Sequence, residues 1–166
     1  MRRARQTIHG RLTAVRSAVD ADAELLATWH RDPEVSRYWD GETFTVEGLR
    51  ERLARGDVDA WIVEAAGEPV GYLQSWWEDG TPRTGGLDGF LIPPARGRGL
   101  MPDAARALAR ALLAEGWAEV TVDPYAWNER ARRGWRKAGF VEVSRHPPDD
   151  EHTAEWVLMR FVESPD

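Results

Sequence analysis

The sequence predicts an α+β fold built around one main sheet, and three observations lead there. Two alternating apolar stretches, Asp59 to Ala65 and Val70 to Trp77, flank the turn Ala66-Gly67-Glu68-Pro69 and predict a β-hairpin. Ala104 to Glu115 is rich in Ala and Leu at helical spacing and closes on Gly116, which predicts a helix. Around these, short strand patterns and helix patterns follow one another in the order β-α-α-β-β-β-α-β-α-β-β, with no repeat and no linker long enough to separate two domains. The whole of residues 1–166 is therefore expected to be one domain.

Each remaining element has its own signal. Residues 8–16 alternate (Ile8, Leu12 and Ala14 against Arg11, Thr13 and Arg16) and predict a strand. Asp20 is placed to cap a helix through Glu24, Leu25, Leu26 and Trp29, which Asp32-Pro33 stops. Thr45 is placed to cap a second helix with Leu49 and Leu53 on one face and Gly56 at its end. Leu87 to Ile92 predicts a strand ended by Pro93-Pro94, which cannot donate ladder hydrogen bonds. Ala118 to Asp123 predicts a strand and Asn128 to Ala138 a helix ended by Gly139. Phe140 to Ser144 and Thr153 to Phe161 predict the last two strands.

Composition narrows the function classes. The chain has 166 residues, 42% hydrophobic and 30% charged, as expected of a globular protein. No apolar run reaches the ~18 residues of a membrane span, and no apolar core follows the basic start Met1-Arg2-Arg3-Ala4-Arg5. There is no cysteine, hence no disulfide, thiolate metal site or cysteine nucleophile. No metal is expected, and a cytoplasmic location is. A formal net charge of -6 points away from nucleic acid and toward a cationic substrate. Nine tryptophans exceed what core packing alone asks for, and such rings also line pockets.

Arg96-Gly97-Arg98-Gly99-Leu100 lies between a strand end and a helix start. Glycines let the backbone approach an anion closely, and the N–H groups of the loop and first turn lie at the positive end of the helix dipole. Pro102 suits that first turn. Taken alone, the segment fits an ordinary turn with solvated arginines as well as it fits a phosphate site. The pattern Arg-x-x-Gly-x-Gly/Ala resembles the acetyl-CoA pyrophosphate loop of GNAT acetyltransferases, with Met101 at the position of the last small residue. Residues 123–140, Asp-Pro-Tyr-Ala-Trp-Asn-Glu-Arg-Ala-Arg-Arg-Gly-Trp-Arg-Lys-Ala-Gly-Phe, resemble the second signature of the same family. Two blocks in that order, one helix and one strand apart, are far more specific than either alone. The resemblance implies a mixed, mostly antiparallel sheet with helices on both faces and a splayed strand pair that takes acetyl-CoA. It implies cofactor contacts from Phe90, Leu91 and Ile92, from Arg96, Gly97, Arg98, Gly99, Leu100 and Met101, and from Asn128 and Trp135.

Asp88 sits in a strand between Leu87 and Phe90. A strand aspartate is usually solvated, yet a carboxylate beside an acyl carrier can bind an ammonium group and take its proton, since only a neutral amine attacks a thioester. Gly67 to Ser75, Trp76-Trp77-Glu78, Gly86-Leu87-Asp88 and Trp29 to Trp39 resemble a subset of aminoglycoside 6′-N-acetyltransferases over about residues 8–162. That resemblance implies that Asp88 is the amine binder and base, and that Trp39, Trp76, Trp77 and Asp79 shape an acceptor pocket. It leaves Glu78 and Asp149-Asp150-Glu151 as further sources of negative charge or as plain solvated loops. Most relatives carry a tyrosine acid where this chain has Trp135, whose indole is no acid, so Tyr125, water or an unprotonated thiolate is left to serve. With no cysteine and no serine elbow, direct transfer in a ternary complex is expected, by a monomer or homodimer. Other readings remain: a siderophore hydroxylamine, polyamine or protein amine as acceptor, or a CoA- or drug-binding module without turnover.

Overall fold

The computed structural model describes residues 5–39 and 44–164, so Met1 to Ala4 of the basic start lie outside the described residues. Among those described, eight strands form one sheet: β1 (Ile8–His9), β2 (Ala14–Ser17), β3 (Val58–Ala65), β4 (Glu68–Glu78), β5 (Thr84–Leu91), β6 (Glu119–Val122), β7 (Phe140–His146) and β8 (Trp156–Phe161). Their order across the sheet is β1-β2-β3-β4-β5-β6-β8-β7. Five helices accompany them: α1 (Ala23–His30), α2 (Pro33–Ser36), α3 (Val46–Ala54), α4 (Leu100–Ala114) and α5 (Glu129–Ala138).

Helices cover both faces. Trp61, Val63, Leu73, Leu87 and Leu91 point to one side and pack beneath Leu108 and Leu112 of α4 and Trp135 and Ala138 of α5. Ile62, Tyr72 and Phe90 point to the other and meet Leu26 and Trp29 of α1, Val35 of α2 and Leu49 of α3. The period-2 alternation of β3 to β5 therefore builds two cores from one sheet.

Several boundaries differ from the sequence expectation, each for a local reason. Residues 8–16 form two strands rather than one. The chain turns back through Gly10 to Thr13, and Asp103 of α4 accepts hydrogen bonds from the backbone N–H groups of Arg11, Leu12 and Thr13 at 2.9–3.0 Å. Asp20 opens a single 3-10 turn rather than α1 itself. Asp22, in that turn, is paired to Arg16 through both of its oxygens at 2.9 Å. Asp32-Pro33 ends α1 as expected and also starts α2, because the Asp32 side chain accepts from the Glu34 N–H. The Thr45, Asn128 and Gly139 caps are in place. α4 begins at Leu100, not Ala104, because Gly99 turns the chain at φ 74°, a left-handed conformation that glycine adopts without strain.

The feature that positions the site is a gap in the sheet. β4 pairs with β5 along the full length of β5, but β5 and β6 run parallel for only three residue pairs, Thr84–Glu119 to Gly86–Thr121. Beyond Gly86 the two strands part. β6 then turns its pairing to β8, and the bridge Tyr125–Trp156 continues that departure.

Candidate active site

Where β5 and β6 separate, a cleft of about 690 Å³ opens between Leu87–Leu91 on one side and Val122–Tyr125 on the other. It continues past the Gly97–Pro102 loop to the α5 face carrying Arg130, Arg133 and Lys137. Antiparallel pairing makes alternate residues of β5 turn their backbone groups to β4. The Ile92 N–H donates to Val70 at 3.0 Å, which sets the phase. Phe90 and Ile92 therefore face β4, while the backbone groups of Leu87, Gly89 and Leu91 face the gap. Gly89, which the sequence reading passed over, presents its backbone groups to the gap, where Phe90 does not. The Leu91 carbonyl already accepts from Arg96 Nε at 3.1 Å.

Asp88 stands at the floor of this cleft, on the sheet face shared with Tyr72, Gln74 and Phe90. Gln74 Nε2 donates to Asp88 Oδ2 at 3.2 Å, and the Tyr72 hydroxyl donates to Gln74 Oε1 at 3.0 Å, which fixes the amide's orientation. Burial, reinforced by the charge of Asp123, pushes the Asp88 carboxyl up to about 6, against the Gln74 hydrogen bond and the opposing charges of Arg52 and His152. A carboxylate so raised is a better base, and it is ionised at neutral pH.

The other expected residues divide into those at the cleft and those away from it. Trp39, Phe90, Leu91, Arg96, Gly97, Gly99, Leu100, Met101, Tyr125, Asn128 and Trp135 line it with Asp88. Ile92, Arg98, Trp76, Trp77 and Asp79 do not. Trp76 shares the Asp88 face and lies over Gly86, where a Cβ would come within 2.6 Å of the indole. Trp77 points to the opposite face and meets Trp117 edge-on at 6.4 Å, with Arg83 over its ring. Trp77, expected at the acceptor pocket, therefore lies across the sheet from Asp88, because alternation along β4 sends adjacent tryptophans to opposite sides. Asp79 is exposed in the loop after β4. Arg96 lines the cleft but is tied to the Leu91 and Glu34 carbonyls, so it anchors the loop. A Cβ at Gly97 or Gly99 would meet nothing of the protein within 4 Å, which leaves the loop backbone open to the cleft. Trp135 is buried, packing edge-on against Phe140 at 5.5 Å. The Tyr125 ring stacks on Trp127 at 5.8 Å, and its hydroxyl accepts from the Thr153 backbone N–H at 3.3 Å.

The sequence reading missed Gln74, Asp123 and His152, all at the cleft. No local pattern marks the first two. It also missed Arg130, Arg133 and Lys137, although their spacing along α5 puts them near one helix face, a signal open to periodicity. Neutral His30 fills the wall behind Trp39. Burial and the charge of Arg52 push it down to about 4, and its ring meets Trp39, Phe44 and Phe90 at 4.7–6.0 Å.

A parted parallel strand pair, a glycine loop opening a helix and a half-buried carboxylate beside the gap are the parts of an acyl-transfer site. The acetyltransferase (GNAT) domain matches residues 18–147, and the chain belongs to that family. Within it, the chain is 33% identical over 147 residues to the aminoglycoside N(6')-acetyltransferase type 1 of Klebsiella pneumoniae, covering 76% of this chain and 72% of that one. The enzyme of the same name from Serratia marcescens matches equally. Among solved structures, AAC(6')-Ib in complex with parmomycin and acetyl-CoA superposes with a TM-score of 0.79 at 27% identity, over 91% of this chain and 93% of the other. RimL, a ribosomal L7/L12 alpha-N-protein acetyltransferase, superposes with a TM-score of 0.82 at 13% identity, over 97% of this chain and 100% of the other, a likeness of fold alone. No helix among the described residues is long and apolar enough to cross a membrane.

Proposed function

We propose that this chain transfers the acetyl group of acetyl-CoA to the 6′-amine of an aminoglycoside, in the cytoplasm and as one domain over residues 1–166. The observation that carries the reading is Asp88, a raised carboxylate at the floor of the cleft where β5 leaves β6. Pantetheine enters the gap and meets the backbone of Gly89 and Leu91, and the pyrophosphate sits over Gly97 to Met101 at the N-terminus of α4. Arg130, Arg133 and Lys137 supply positive charge along the same side.

The acceptor lies against Trp39, with its ammonium groups near Asp88 and Asp123. Asp88 removes a proton, and the neutral nitrogen attacks the acetyl carbonyl, whose developing oxyanion accepts from a β5 backbone N–H. The carbon–nitrogen bond forms and the carbon–sulfur bond breaks; one ammonium proton rests on Asp88, the second, shed as the nitrogen becomes an amide, passes to solvent, and CoA leaves as thiolate. A thiol pKa of about 8.5 makes that thiolate a tolerable leaving group without an acid at the Trp135 position.

Incubation with acetyl-CoA and kanamycin tests this, with mass spectrometry for one added acetyl group and NMR for its position. Kanamycin acetylated at the 6′-nitrogen is the expected product. Binding of acetyl-CoA with no acetylated aminoglycoside across several kanamycin- and neomycin-type drugs refutes the acceptor, and failure to bind acetyl-CoA refutes the whole reading.

A further inference from the structure

Asp123 directly follows β6 and lines the same cleft as Asp88. Its Oδ2 lies 2.7 Å from Nε2 of His152, and the other ring nitrogen, Nδ1, lies 2.8 Å from Oδ1 of Asp149. Carboxylate oxygens accept, so a ring clasped between two carboxylates makes both contacts as hydrogen bonds only when it carries a proton on each nitrogen. Burial opposes that charge, but the hydrogen bonds and charges of Asp149 and Asp123 outweigh it and hold His152 above its ordinary value.

The ring cannot turn freely. It stacks on Trp156 with centroids 4.3 Å apart and planes 13° apart, and Tyr125 meets it edge-on at 6.0 Å. Trp156 Nε1 donates to Asp149 Oδ2 at 3.0 Å, and the His152 backbone N–H donates to Asp149 Oδ1 at 2.8 Å. The loop from Asp149 to His152 is thus tied to itself, and one nitrogen of His152 reaches out of it across to β6. Among the described residues no donor reaches Asp123 Oδ1.

We infer that His152 is a positioning residue for acceptor capture: it grips Asp123 by one oxygen and leaves the other, in the cleft that Asp88 also lines, for a second ammonium group of a polycationic acceptor. The inference rests on the cleft being an amine-acceptor site. It gives the late acidic loop a use that its exposed carboxylates do not suggest: Asp149 orients His152, and His152 orients Asp123. A protonated His152 also offsets the repulsion between carboxylates that line one cleft.

Two half-isosteres separate the roles. In His152→Gln the amide nitrogen reaches the Nε2 position and keeps the donor to Asp123. In His152→Asn it reaches only the Nδ1 position, which keeps the loop and drops Asp123. Losing a hydrogen bond to a charged group, here a half-buried one, commonly costs about tenfold or more. The KM for kanamycin is therefore expected to rise roughly tenfold more in His152→Asn than in His152→Gln, with KM for acetyl-CoA nearly unchanged in both; the loss of the ring's charge is common to the two variants and cancels in the comparison. Ligand-free crystal structures give a readout independent of the acceptor: the Asp123 carboxylate should leave its position in His152→Asn and keep it in His152→Gln. An unmoved Asp123 in His152→Asn overturns the inference, and so do equal kanamycin KM values in the two variants or a matching rise in KM for acetyl-CoA. If wild type does not acetylate kanamycin, the proposed acceptor fails while the crystal structures still decide the role of His152. If His152→Asn does not fold, nitrogen-15 NMR of the wild-type ring decides: protons on both nitrogens support the grip, and a neutral single tautomer overturns it.

Discussion

Asp88, the proposed base, carries its charge at a cost to the fold. Its carboxyl is pushed up to about 6, so at neutral pH the protein holds a charge that burial disfavours. Asp88→Asn is nearly isosteric and removes that charge. Turnover should fall about 100- to 10,000-fold, the usual loss for a general base, while the melting temperature at neutral pH holds or rises by a few degrees. Near-normal kcat in a folded variant would reduce Asp88 to a strand residue. The same shift fixes the acid side of the pH profile. Below about pH 6 Asp88 is protonated and cannot accept from the amine, so kcat/KM for the acceptor should fall about tenfold per pH unit there. An acid limb centred near the ordinary carboxylate value would mean that burial is not setting this group. Trp135 poses the opposite case, a site residue without acid–base capacity. It packs against Phe140 and lines the cleft, so Trp135→Phe should keep most of kcat, and abolished turnover with normal acetyl-CoA affinity would show that the indole does more than pack.

At the scale of elements, α4 has two separate duties at one end. Its first residue follows Gly99, whose φ of 74° costs most residues roughly 1–2 kcal/mol and costs glycine nothing comparable. A side chain there would also stand in the open space over the loop, where the phosphates are proposed to sit. Gly99→Val should therefore raise the acetyl-CoA dissociation constant at least about tenfold by calorimetry while acceptor binding changes little, and unchanged affinity would remove the loop from the cofactor site. One turn on, Asp103 fastens the β1–β2 turn through three backbone N–H groups and the Thr13 hydroxyl, at 2.7–3.0 Å. Burial alone would raise this carboxyl, but those four donors together hold it below its usual value, so the tie is intact at neutral pH and is lost as acid protonates it. Asp103→Ala should cost about 1–3 kcal/mol in denaturant unfolding, with kcat nearly unchanged because the tie lies away from the cleft. A loss below about 0.5 kcal/mol would mean that water replaces the carboxylate at that exposed turn.

For the whole molecule, the sign of the charge differs along one cleft. The chain has a formal net charge of -6, and carboxylates gather where β5 and β6 part, while Arg130, Arg133 and Lys137 lie on the α5 side. A polycationic acceptor is drawn to the first end through partly screened fields, so its KM should rise severalfold between about 0.05 and 0.5 M salt. A KM indifferent to salt would argue against a highly charged acceptor. Much of the architecture and part of this site were legible before folding. The hairpin of β3 and β4, the caps at Thr45, Asn128 and Gly139, the glycine loop and the second block all depend on neighbours within a few residues, and local conformational preference and period-2 or helical spacing report such neighbours directly. The proposed role of Asp88 came only through resemblance, because nothing in its own segment distinguishes a catalytic carboxylate from a solvated one. Tertiary structure alone decided the rest. Asp103 reaches a turn 90 residues earlier in the chain, and His152 grips Asp123 across 29 residues. The rotation that sends Trp76 toward Asp88 and Trp77 away from it follows from strand register. Register, pairing and the parting of β5 from β6 are set by contacts between segments far apart in sequence, and no local pattern encodes which distant partner a side chain will meet.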